Sequence, residues 1–241
     1  MRLDLFLTET NMTESRTRAK NLIIMGKVFV NDQIVEKVAF DVKEGDNVRI
    51  SEDYDASLGG IKLRKALQTF DLEVQGKKCL DIGASNGGFC DVLLDNGAEN
   101  VIALDVGECA LPLRLKQDER IIIMDKTNAK TLLPEHLPYT PEIITVDVSF
   151  ISLTQILPNV FSCLAPNGYA VCLIKPQFEC GKNALSKKGI VQSDKDVQKA
   201  IERIKSFCHS LNFVVRDTCL APHPFDKKNQ EYFIFLSKNI A

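Results

Sequence analysis

The chain has 241 residues, 45% of them apolar and 26% charged, which is the composition of a globular protein able to bury a sizeable core. Thirty basic against 32 acidic side chains leave a formal net charge of -2, so the chain is no polycation and any nucleic-acid contact must use a local basic patch. Met1 to Asn11 carries Arg2, Asp4 and Glu9 without an apolar signal core; the eight cysteines form no CxxC pair, and His136, His209 and His223 stand outside ligand spacing. That pattern points to reduced, buried thiols in a cytoplasmic protein, and against a disulfide framework or a metal site.

In chain order, Leu3, Phe6 and Leu7 recur at helical spacing, and a second helix starts near Thr13 or Ser15 and stops at Gly26. A strand at 27–30, the turn Asn31-Asp32 and a return at 33–35 read as a hairpin. Val42, the turn Glu44-Gly45-Asp46 and Val48–Ile50 read as one more. Residues 1–58 are net acidic, with 8 Lys/Arg and 11 Asp/Glu, yet 15–30 holds Arg16, Arg18, Lys20 and Lys27 and no acid. A basic helix beside a basic strand start suits phosphate contacts, although a charge run is more often a solvated face. Glu52 to Gly60 is polar and ends in two glycines, as a linker does.

The remainder alternates strand signals at 78–82, 101–104, 121–124, 143–148, 169–174, 213–218 and 232–236 with helix signals at 63–70, 88–96, 153–164 and 194–211. This argues an α/β domain, a parallel sheet with helices on both faces. Val148 to Ile174 is 27 residues without a charge. Pro158, Asn159, Pro166, Asn167 and Gly168 interrupt it, so it reads as helix, turn and buried strand and not as a membrane span.

The first strand of this part runs into Asp81-Ile-Gly83-Ala84-Ser85-Asn-Gly87-Gly88-Phe89, and the second ends at Asp105. Glycines at a first strand–helix turn admit a ligand close to the backbone, and a strand-end acid can hold ribose hydroxyls. The glycine spacing is not GxGxxG, and Asp81 would repel a pyrophosphate; it suits a ligand bearing ammonium and sulfonium charges, which S-adenosylmethionine is and a dinucleotide is not. The fourth and fifth strands end at Asp147 and Lys175, where ligands of open α/β sheets bind. A desolvated lysine there becomes a candidate base; a buried ion pair without a catalytic task is the plainer alternative.

Leu80-Asp-Ile-Gly-Ala-Ser-Asn-Gly-Gly-Phe, Asp147-Val-Ser-Phe-Ile-Ser-Leu, Lys175-Pro-Gln-Phe-Glu and Asn229-Gln-Glu resemble the TlyA (haemolysin A) family, whose members are similar to FtsJ-type ribose 2′-O-methyltransferases. Arg2-Leu-Asp, Ser15-Arg-Thr-Arg-Ala-Lys and Gly26-Lys-Val-Phe-Val-Asn resemble the S-four type RNA-binding domain. The resemblance implies a Rossmann-like S-adenosylmethionine-dependent methyltransferase fold with a mostly parallel seven-stranded sheet at 61–241, a small α+β RNA-binding domain at 1–51 and a linker at 52–60. It implies a tetrad of Lys62, Asp147, Lys175 and Glu231, of which strand-end placement alone marks only Asp147 and Lys175. It implies a donor site for S-adenosyl-L-methionine of Asp81, Gly83, Ala84, Ser85, Gly87, Gly88 and Phe89, with Asp105 at the ribose and Asp125 and Asn128 near the adenine. Arg2, Arg16, Arg18, Lys20 and Lys27 become the RNA contacts, and ribosomal RNA or ribosomal subunits the partner. Ser57-Leu58-Gly59-Gly60 and Gly107-Glu108-Cys109-Ala110 depart from the family pattern, which bears on RNA positioning and on the edge of the donor pocket.

These expectations converge on an rRNA ribose 2′-O-methyltransferase, with cytidine the substrate base that the resemblance implies and Lys175 as general base. The alternatives are a haemolysin-like membrane-active protein and a non-catalytic RNA-binding assembly factor.

Overall fold

The computed structural model describes residues 1–13, 15–51, 58–222 and 229–238. The chain divides into two units, Met1–Leu58 and Gly59–Ala241. In the first, α1 (Leu3–Glu9) and α2 (Arg16–Ile24) each turn one apolar face inward. Leu3 and Leu7 meet Ala19, Leu22 and Ile23 in a core shared with Val28 and Val30. Ser15 caps α2, its side-chain oxygen accepting from Arg18 N. β1 (Val28–Val30) pairs antiparallel with β2 (Gln33–Ile34) across Asn31 and Asp32, both at positive φ, as the tightest hairpin turn requires.

The hairpin expected between Val42 and Val48–Ile50 does not form. β3 (Val48–Ile50) pairs antiparallel with β1 instead, so the strand order is β2-β1-β3. Side chains decide this. Asp46 accepts hydrogen bonds from Lys43 N and Asn31 Nδ2, and Asn31 Oδ1 accepts from Asn47 N, which ties the 43–47 turn to the β1–β2 turn.

In the second unit α3 (Leu58–Phe70) begins earlier than the expected 63, so Gly59 and Gly60 are helical; residues 52–57 of the expected linker lie outside the described residues. There follow β4 (Lys78–Ile82), α4 (Gly88–Asp95), β5 (Asn100–Leu104), α5 (Leu113–Lys116), β6 (Ile121–Met124) and β7 (Ile143–Val146). The chain continues through α6 (Leu157–Cys163), β8 (Tyr169–Ile174), α7 (Pro176–Glu179), α8 (Asp194–Ser210), β9 (Phe213–Leu220) and β10 (Tyr232–Lys238). These strands form one seven-stranded sheet in the order β6-β5-β4-β7-β8-β10-β9, mostly parallel, with β10 antiparallel to both its neighbours.

Alternation along the strands divides the core between the two sheet faces. Leu80, Ile82, Ile102, Ile144 and Val146 pack with α6 and α8, while Cys79, Val101, Ala103, Ile143 and Phe233 pack with α3 and α4. The charge-free stretch resolves into a 3-10 turn at Leu153–Gln155, then α6 and β8. The single helix expected over 153–164 is thus broken, and Pro158 sits in the first turn of α6, where its missing N–H has no partner to lose. Among the described residues no helix is long and apolar enough to cross a membrane. All eight cysteines are free thiols, six of them buried.

Among the described residues of the small unit, one charged side chain is buried. Asp4 has no exposed surface, and its carboxylate accepts from Arg2 Nε at 2.9 Å and Arg16 Nε at 2.7 Å. The hydrogen bond from Arg2 is the main reason its pKa is lowered to about 2. A carboxyl held below its unfolded value of about 4 stabilises the fold above that pH and loses the contribution as pH falls towards 2. Asp4→Asn is expected to cost about 1–3 kcal/mol in urea unfolding at pH 7 and to blunt the acid sensitivity of this unit between pH 4 and 2.

Candidate active site

The chain runs from β4 out to β5 and β6, then returns to place β7 on the other side of β4, so the sheet's switch point lies between β4 and β7. There the turn after β4 is drawn tight. Gly83 N and Ala84 N both donate to Leu104 O, and Asp147 N donates to Ile82 O. Gly83 has φ +87°, and a Cβ there would strike the carbonyl oxygen of Asp147. Ser85 N and Gly107 N donate to the two carboxylate oxygens of Asp105, each at 2.9 Å, which binds the β4 turn to the end of β5. Gly87 caps α4 at φ +80°, with Leu111 and Leu115 against the position a Cβ would take.

These loops enclose a cleft of about 440 Å³ whose walls include Gly83, Ser85, Asp105, Asn128, Asp147 and Phe150. Its size is in the range of small-molecule sites. Asp105 has spent one lone pair per oxygen on backbone N–H groups and keeps acceptor capacity for hydroxyls. Asn128 lines the cleft while its side chain caps the following turn through Lys130 N.

Other expected donor-site residues stand elsewhere. Asp81 is 1% exposed and does not line the cleft. Its carboxyl accepts from Thr145 Oγ1 at 2.8 Å and Cys90 Sγ at 3.2 Å, and burial pushes its pKa up to about 7. It is the penultimate residue of β4, a central strand buried on both faces. Phe89 is core as well, its ring centroid 6.2 Å from that of Phe233. Ala84, Gly87 and Gly88 are buried in the turn and the start of α4. Asp125 is exposed and engaged by Cys109 N, which holds its pKa below the usual carboxylate range; it is absent from the cleft wall.

The four charged residues at the sheet edge fall into two ion pairs. Lys175 Nζ lies 2.5 Å from Asp147 Oδ1 and donates to Ser149 Oγ at 3.0 Å. The Asp147 contact is one of charge: among the described residues no group donates to that buried oxygen with hydrogen-bond geometry. Lys62 Nζ donates to Glu231 Oε2 at 2.6 Å. Topology explains the meeting. Asp147 and Lys175 follow the ends of adjacent parallel strands, and Tyr232 of antiparallel β10 pairs with Ile174, so Glu231 enters beside Lys175. Lys62 reaches Glu231 from α3.

Three further residues shape this edge, and sequence reasoning missed them. Glu179 is buried and accepts from Ser152 Oγ, Leu153 N and an Arg203 guanidinium N–H, which staples the loop after Asp147 to α7. Its only signal is its place in the Lys175-Pro-Gln-Phe-Glu motif. Phe150 is 90% exposed with φ +65°, and its ring stands 5.1 Å from that of Phe178 on the cleft wall. Gln177 carries a buried amide oxygen with no donor among the described residues. In the first unit, Arg2 and Arg16 converge on Asp4, and Lys20 is exposed one helical turn after Arg16. Arg18 and Lys27 are half-buried. The five expected RNA contacts thus include two whose charge is already shared with a buried acid.

An FtsJ-like methyltransferase model matches residues 56–238, and an S4 domain model matches residues 1–48. Hemolysin A of Brachyspira hyodysenteriae is 39% identical over 234 residues, 96% of this chain and 98% of that one. The 16S/23S rRNA (cytidine-2′-O)-methyltransferase TlyA of Mycobacterium tuberculosis is 34% identical over 238 residues, 98% of this chain and 89% of the relative. The chain belongs to the TlyA family. Among solved structures, a hemolysin candidate from Streptococcus thermophilus matches this TlyA-family chain with TM-score 0.77 and 34% identity, over 99% of this chain and 88% of that one. An S-adenosylmethionine-dependent methyltransferase from Mesorhizobium loti, 17% identical with TM-score 0.53 over 75% of this chain and 99% of that one, shares the fold.

The buried acid of this TlyA-family turn makes stability depend on pH. The folded pKa of Asp81 is about 7 and the unfolded value about 4, so between them the folded chain holds a proton that the unfolded chain has released. Stability therefore falls as pH rises through that window, with a slope of up to about 1.4 kcal/mol per pH unit. Asp81→Asn is expected to flatten this slope in urea unfolding curves taken from pH 5 to pH 8.

Proposed function

We propose that this TlyA-family protein is an S-adenosyl-L-methionine-dependent ribosomal RNA ribose 2′-O-methyltransferase acting on cytidine, with Lys175 as general base. One observation carries the reading: Lys175 Nζ rests on Asp147, and Asp147 is itself part of the cleft wall. The base and the donor site then share one side chain. The relatives support the substrate class, since the proteins from Mycobacterium tuberculosis and Campylobacter jejuni are named rRNA (cytidine-2′-O)-methyltransferases at 34% identity each.

The cleft residues suit the donor. Asp105 has the acceptor capacity for ribose hydroxyls, and Asn128 and Val106 stand beyond it on the same wall for the adenine. Asp147 Oδ1, beside Lys175 Nζ but without a hydrogen bond of good geometry, keeps acceptor capacity for a donor entering the cleft. Bound in this cleft, S-adenosyl-L-methionine supplies an electrophilic methyl group on sulfonium sulfur.

The protein's own part is to place and deprotonate the acceptor. A ribose 2′-hydroxyl is a poor nucleophile and must lose its proton as it attacks, and the amine of Lys175, in its neutral form, accepts it. Asp147 and Ser149 fix Nζ, and Glu179 holds the loop that carries Ser149. Lys62 and Glu231 set the charge at the next strand end. Alignment of the oxygen with the methyl group supplies a further share of the rate. Phe150 presents an open aromatic face at the cleft mouth, suited to stack the base of a nucleotide turned out of its helix. The S4 unit grips phosphates and shape on the folded RNA.

Purified ribosomal subunits and naked rRNA, offered labelled donor, test the reading. Label that resists alkali at the modified nucleotide is expected with the wild-type chain; no label on either RNA would refute it. Lys175→Ala is expected to lower turnover at least about 100-fold while donor affinity stays within a few-fold. Phe150→Ala is expected to lower turnover about 10-fold, with a smaller change in donor affinity, in keeping with about 1–3 kcal/mol for one base–aromatic stack.

A further inference from the structure

Residues 181–192, between α7 and α8, carry Lys182, Lys187 and Lys188 and no acidic residue. They fold back on themselves as a short arm. Leu185 and Val191 form an antiparallel bridge, and Ser186 N donates to Ile190 O at 2.7 Å. Ser186 Oγ accepts from Lys188 N and Ile190 N, and Gly189 turns the chain at φ +74°. Lys187 and Lys188 are thereby the exposed tip. Among the described residues no carboxylate lies within ion-pair distance of either.

The arm is also held from outside. Asn229 Oδ1 accepts from Val191 N, and Asn229 Nδ2 donates to Gly189 O, both at 2.8 Å. Asn229 lies two residues before Glu231, at the strand end that pairs with Lys62. A lysine pair with no acid beside it does not need this restraint to stay solvated. Ordering a glycine-containing loop costs backbone entropy, about 1–2 kcal/mol per residue, and here hydrogen bonds within the arm and two more to Asn229 oppose that cost. The effect is to fix two positive charges relative to the catalytic edge.

We propose that the Lys187–Lys188 tip is an RNA contact of the larger unit, taking backbone phosphates next to the nucleotide being methylated, with Asn229 as the positioning residue that sets its distance from Glu231. The inference rests on the 2′-O-methyltransferase reading above. Phosphate contacts of this kind carry no base information; they fix register and raise affinity in a salt-dependent way.

The test compares wild type with the double variant Lys187→Gln/Lys188→Gln and with Asn229→Ala, all on purified ribosomal subunits. Donor affinity and the thermal unfolding midpoint serve as controls for an intact fold. Removing two phosphate contacts is expected to make the slope of log K against log salt less negative by about 1.4 to 1.8. KM for RNA should rise about 10-fold or more, in excess of any fall in kcat. Asn229→Ala should raise KM in the same direction while leaving the salt slope closer to wild type, since the charges remain but are no longer held. A double variant with the wild-type slope and KM would overturn the contact. Loss of binding to anionic phosphatidylglycerol vesicles with an unchanged RNA slope would assign the tip to a lipid surface and overturn it equally. If the wild-type chain transfers no methyl group to rRNA, the function reading fails, and the salt slopes of the two proteins on the same RNA still decide the contact.

Discussion

The site depends on how closely two strand ends approach each other. Gly83 leaves β4 at positive φ with its Cα hydrogens against the carbonyl of Asp147, and Asp147 N completes the contact by donating to Ile82 O. Any side chain at 83 would force the β4 and β7 loops apart, because backbone on both sides cannot yield as a side chain could. With the two ends in contact, the floor of the cleft and the carboxylate of Asp147 become parts of one rigid surface. Asp105 extends that surface to β5 by gathering the N–H groups of Ser85 and Gly107.

The antiparallel strand completes the group of four charged residues. A parallel sheet exposes only strand ends on its ligand side, and each end is followed by a loop or helix that carries the chain away. β10 runs the other way, so its first residues, not its last, arrive beside Lys175. Glu231 can then meet Lys62 across 169 residues of sequence. Partly buried charge pairs of this kind gain little stability over apolar packing. Their place beside a cleft is what the proposed chemistry draws on. Glu179 is the brace: wholly enclosed, it gathers three donors from the loop after Asp147 and from α8.

Much of this was legible in the sequence. Alternating strand and helix signals give the α/β class, and the rule that ligands meet carboxyl strand ends marks Asp147 and Lys175 before any resemblance is invoked. Lys62 and Glu231 came only with the family motifs, because partners so far apart leave no local periodicity. Asp81 and Phe89 carry a burial that their glycine-rich motif, read as a string, does not reveal: β4 is covered on both faces, and Phe89 packs on Phe233. The 42–50 hairpin failed because Asn31 and Asp46 bind across two turns, a contact invisible to propensity. Phe150 was legible as an apolar residue, and only its backbone at positive φ turns it outward.

Positive charge is organised in two different ways along the chain. In the S4 unit, buried Asp4 fixes Arg2 and Arg16 by their Nε atoms, so each guanidinium is oriented but shares its charge with an acid. Such groups read geometry, since a guanidinium held at one edge offers its remaining donors in a set direction. Lys187 and Lys188 are the reverse: the backbone beneath them is fixed by Ser186 and Asn229 while the side chains stay unengaged. Point charges on flexible stems tolerate many phosphate positions and discriminate little between them. A protein with a net charge of -2 cannot attract RNA by its overall field. On the function proposed above, its few ordered cations would count by placement: oriented arginines for shape, tethered lysines for phosphates.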